Sequence, residues 1–115
     1  MWYNTGMTTT YLEPAAARQH LTAPWAEVSL SCLCRPGDAY PTLFARVSLD
    51  LFPTWNYGIF QNSRHAIFMV QQFPDGRAQV SMTSRHYELP KLRKATVAST
   101  EAALAKVQAW IDANV

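Results

Sequence analysis

From Ala26 to Arg85 apolar and polar residues alternate with a period of two, the signature of strands that bury one face. Val28, Leu30, Cys32 and Cys34 alternate with Glu27, Ser29, Ser31 and Leu33. In a second run Ala45, Val47, Leu49 and Leu51 alternate with Phe44, Arg46, Ser48 and Asp50. Arg35-Pro36-Gly37-Asp38 breaks the chain between them. Phe52-Pro53-Thr54 makes the next turn, and Trp55, Tyr57 and Ile59 begin a third strand.

Two later turns predict registers. Phe73-Pro74-Asp75-Gly76-Arg77 has the order of a type I turn closed by a glycine in the left-handed region. Pairing Phe73 with Arg77 then sets Val70 opposite Val80 and Phe68 opposite Met82. Asn62-Ser63, taken as a two-residue turn, pairs Gln61 with Arg64 and sets Tyr57 opposite Phe68 and Trp55 opposite Val70. Both hairpins assign the same residues to one face, which a one-residue slip in either would reverse.

Beyond Ser99 the period changes to that of a helix. Ser99 or Thr100 caps it, Glu101 lies in the first turn, and Ala103, Leu104, Val107, Trp110 and Ile111 form an apolar stripe. That stripe covers the Val28, Val47, Tyr57, Phe68 and Val80 face. Pro14 with Ala15, Ala16 and Ala17 predicts a short helix through Leu21, and residues 1–12 read as a loosely held lead-in. The expected fold is therefore α+β over a single domain, residues 1–115. It is a five-stranded antiparallel meander across 26–85 with a C-terminal helix, 99–113, packed on one face.

The opposite face is expected to carry Phe44, Phe60, His65, Ile67, Met69 and Phe73, interleaved with Gln71, Arg77, Gln79, Ser81, Thr83 and Arg85. A solvated sheet face should be mostly polar. This one is too apolar for that, so it reads as an interface, unless Trp2, Tyr3, Tyr11 and Leu12 fold back over it. His65 and Arg85 fall opposite each other in the same register, as a surface polar pair.

Charge changes the picture only locally. The formal net charge is +2, with 49% hydrophobic and 16% charged residues, which describes a globular chain rather than a disordered one. Residues 64–94 carry Arg64, Arg77, Arg85, Lys91, Arg93 and Lys94 against Asp75 and Glu88. The run Arg85 to Lys94 reads as a solvated connection, or as an edge that contacts phosphates or an acidic protein surface.

Candidate chemistry is sparse. Cys32 and Cys34 point to one face of a strand, where free thiols behave as small apolar residues. A zinc site needs two further ligands, and no second cysteine pair or His-x3–5-His is present. His20, His65 and His86 are scattered, and no P-loop, G-x-S-x-G, H-E-x-x-H or G-x-G-x-x-G motif occurs. No cofactor or metal is expected. No stretch approaches the ~20 apolar residues of a membrane helix. Two cysteines without a targeting segment fit a reducing cytoplasm.

The sequence thus favours a non-enzymatic interaction module, a homodimer or the partner of another protein. Phe60, His65, Ile67, Met69, Phe73, Arg77 and Arg85 would form its contact face. The first alternative is single-stranded nucleic-acid binding on that face, with Arg64, Arg77, Arg85, Lys91, Arg93 and Lys94 at the phosphates. The second is a small enzyme with a Cys/His site that its motifs do not disclose.

Overall fold

The structure, a computed structural model, describes residues 11–23, 25–31, 41–50, 55–56, 59–60 and 63–114. Helix α1 (Pro14–Arg18) is followed by strands β1 (Trp25–Ser31), β2 (Thr42–Ser48), β3 (Trp55–Asn56), β4 (Ile59–Phe60), β5 (His65–Gln72), β6 (Ala78–Arg85) and β7 (Ala95–Val97), then helix α2 (Thr100–Asn114). The main sheet is antiparallel with five strands in the order β1-β2-β5-β6-β7, and α2 packs against it. No helix among the described residues is long and apolar enough to cross a membrane.

The β5–β6 hairpin has the expected register: Val70 pairs with Val80 and Phe68 with Met82. Phe73 N–H donates to the Arg77 carbonyl at 2.9 Å, and Gly76 takes φ +92°, where a side chain is strained. The other hairpin differs. β3 and β4 pair with each other, Trp55 opposite Phe60, in a separate two-stranded ribbon, and β2 takes the place beside β5. Ala45, not Tyr57, lies opposite Phe68. The fifth strand is β7, beyond the expected 26–85 span. Tyr57, Asn62, Phe52-Pro53-Thr54 and Cys32 through Asp38 lie outside the described residues.

One face of this sheet forms the core with α2. Leu43, Ala45, Val47, Ala66, Phe68, Val70, Ala78 and Val80 meet Ala103, Leu104, Val107, Trp110 and Ile111, all buried. Phe68 and Trp110 stack edge-on with centroids 5.2 Å apart, a favoured aromatic geometry. Ser99 caps α2, its Oγ accepting from the Ala102 N–H at 3.0 Å.

Buried Gln72 is a polar hub inside this core. Its Oε1 accepts from the Leu12 N–H (2.7 Å) and the Thr100 hydroxyl (3.0 Å), and its Nε2 donates to the Leu12 carbonyl (3.1 Å). The carboxamide thereby copies a main-chain pairing and ties the N-terminal segment to β5 and α2. Leu12 packs on the helix-side core, so it does not cover the opposite face.

Candidate functional site

The face away from α2 is less open than its sequence suggests. Phe44, His65, Ile67, Met69 and Phe73 are each half-buried. Phe44 lies opposite Met69, and Arg46 opposite Ile67. Phe60 belongs to the β3–β4 ribbon rather than to this sheet. Arg77 sits in the hairpin turn, where its Nε donates to the Asp75 carboxylate at 2.7 Å. Hydrogen bonds from the Arg77 main chain and side chain hold the Asp75 carboxyl below the usual range.

Arg85 leaves this face altogether. The register shifts between Ile67 and Phe68, where β6 takes one extra residue, Thr83, whose hydroxyl donates to the Ile67 carbonyl at 3.2 Å. Beyond this bulge Arg85 lies opposite Ala66, a core-facing residue, and not opposite His65. Its Nη1 donates to the Leu89 carbonyl at 2.7 Å.

A polar cluster closes one end of the sheet. Arg64 donates from its main-chain N–H (2.6 Å) and from Nε (3.0 Å) to the two Asp50 carboxylate oxygens. Burial raises the Asp50 pKa, but these bonds and the Arg64 charge outweigh it and hold the carboxyl below its usual range. His65 Nδ1 lies 3.0 Å from the Ser63 carbonyl, so that nitrogen carries the proton. His86 Nδ1 accepts from the Glu88 N–H at 3.3 Å. Among the described residues each of these nitrogens lies against main chain, and His86 Nδ1 is also 3.9 Å from the Glu88 carboxylate. Among the described residues no three His, Cys, Asp or Glu side chains converge as a metal site.

The connection from β6 to β7 presents cations on a fixed frame. Leu89 is buried, Leu92 packs on the core, and Trp110 Nε1–H donates to the Pro90 carbonyl at 3.1 Å. Lys91, Arg93 and Lys94 are consequently held outward, exposed, with no ion pair to any described residue. The six cations of the basic stretch therefore separate into two sets. Arg64, Arg77 and Arg85 are engaged locally, while Lys91, Arg93 and Lys94 remain available.

These three flank the half of β6 that β7 does not reach. β7 pairs only with Ala78, Gln79 and Val80. Past that point a shallow groove runs along Ser81, Met82, Thr83, Ser84 and Arg85, walled by Tyr87 and the Lys91–Lys94 segment. Tyr87 is 82% exposed, the most exposed large hydrophobic residue described. Its ring sits 4.4 Å from that of His86. The part of the groove between Met82–Arg85, Tyr87 and Lys91 holds about 490 Å³ but is open to solvent, unlike the enclosing pockets that bury small ligands.

The basic run was visible in the sequence, but its assembly with the open strand edge was not. Tyr87 was missed because an isolated tyrosine carries no periodic signal. Protein-family models, curated proteins and solved structures offer no match to this chain.

Proposed function

We propose that the chain is a non-enzymatic interaction module that holds an acidic partner protein against the β6 edge. The observation that carries this reading is the set of exposed cations, Lys91, Arg93 and Lys94, which have no ion pair among the described residues and are fixed beside an open strand edge and the exposed Tyr87. Charges at a rim steer association and select partners of opposite sign. Tyr87 beside them provides a large amphipathic contact of the kind that anchors interfaces. Phe44, Ile67, Met69 and Phe73 on the apolar sheet face are half-buried, as are Met82 and Leu92, and what favours the β6 edge is the exposed Tyr87 and the three exposed cations beside it.

A second reading, single-stranded nucleic-acid binding, draws on the same residues, with Tyr87 as a stacking platform. The two are separated by fluorescence anisotropy with labelled oligoglutamate and oligothymidylate of equal charge. Oligoglutamate is expected to bind more tightly, and Lys91→Glu with Lys94→Glu to weaken it by about tenfold, close to 1.4 kcal/mol. Preference for oligothymidylate with loss on Tyr87→Ala supports the second reading, and indifference to the double charge reversal removes both.

A further inference from the structure

We infer that the open half of β6 takes up an extended acidic segment of the partner as an added strand, which rests on the interaction reading above and gives it a geometry. In an antiparallel ladder successive residues turn their main-chain groups to opposite sides. The Phe73–Arg77 bonded pair starts the count, so Gln79 and Ser81 bond toward β5 while Ala78, Val80 and Met82 turn outward. Val80 and Ala78 meet β7 there. Met82 does not.

The bulge then resets the alternation. His86 N–H donates to the His65 carbonyl at 2.9 Å, which makes that a bonded pair and turns Arg85 outward. The N–H and C=O of Met82 and Arg85 therefore face the groove, separated along the strand by about 10 Å. One extended chain spans that distance in about three residues. Such main-chain pairing supplies affinity, and alternate side chains of the added strand supply selectivity.

Charge decides between possible occupants. A second copy pairing edge to edge would set Arg85, Lys91, Arg93 and Lys94 against the same four cations. The cationic rim and the bulge thus disfavour self-association, as such devices do on natural sheet edges. An acidic strand meets opposite charge instead. Half-buried Met82 and Leu92 line the floor of the groove, so the segment that fits alternates acidic and apolar residues.

The test titrates the isotope-labelled full chain with a peptide of about eight residues alternating Glu and Val, long enough for one strand. A second peptide carries N-methyl groups on every other residue, keeping the charge but losing the main-chain donors. The unmodified peptide is expected to shift the Met82 and Arg85 amide signals downfield and to bind about tenfold or more tighter than the methylated one. Equal binding by the methylated peptide overturns strand addition while leaving the interaction reading in place. Binding of about ten thymidylates in preference to either peptide overturns both readings, and so does the absence of any binding.

Discussion

Replacing Gln72 with Leu removes the polar hub at nearly constant volume. Three hydrogen bonds disappear, two with Leu12 and one with Thr100, leaving a main-chain N–H, a carbonyl and a hydroxyl without these partners. Gln72 is 1% exposed, so water does not reach the site unless the N-terminal segment lifts away. Each net hydrogen bond contributes about 1 kcal/mol and an orphaned buried group costs about 1–3. Leucine recovers part of this by burying more apolar surface, so the expected loss is about 3 kcal/mol. For a chain of this length that lowers Tm by about 12 °C.

Urea unfolding followed by tryptophan fluorescence measures this loss, with Thr100→Val and the double variant completing a cycle. The hydroxyl bond should give a coupling of about 1 kcal/mol between the two sites. Gln72→Leu within about 0.5 kcal/mol of the parent would refute the hub, because surface polar groups alone give changes that small.

Gly76→Ala should destabilise by about 1 kcal/mol even though nothing lies within 4 Å of the added methyl, because φ is +92°; urea midpoints check it, and a neutral result would mean the turn relaxes freely. Asp50 has a lowered pKa in the folded chain, so the stability it contributes is complete above the unfolded carboxylate value. That contribution fades as pH falls below about 4 through the lowered folded value. Asp50→Asn should flatten this part of the pH–stability curve and cost about 1 kcal/mol at neutral pH, the partly exposed pair being screened. An unchanged acid limb would place the sensitivity elsewhere.

The regularities that the chain displays locally were readable, and those that depend on competition were not. The β5–β6 register follows from Asp75-Gly76, and the α2 stripe from Ala103 to Ile111, because each is encoded within a few turns or residues. Residues 55–61 alternate well enough to pass for a sheet strand. Alternation does not name a pairing partner, however, and β2 wins the place beside β5. The bulge at Thr83 leaves no periodic mark, yet it reverses which face Arg85 occupies. Alternation with Phe68 and Val70 puts Gln72 on the core face, but its partners Leu12 and Thr100 come from distant parts of the chain, which no local pattern reveals. The basic run was legible as charge. Its position beside an open strand edge depends on β7 being only three residues long, which no propensity dictates.

Amide hydrogen exchange at Met82 in the free chain tests the open edge most directly. Gln79, Val80 and Ser81, bonded in the ladders to β5 or β7, should be protected by about a thousandfold or more. Met82 and Arg85 should exchange within about tenfold of an unstructured amide, and the acidic Glu–Val peptide should slow both. Protection of Met82 equal to that of Val80 in the absence of any partner would contradict the account, since the edge would then already be closed.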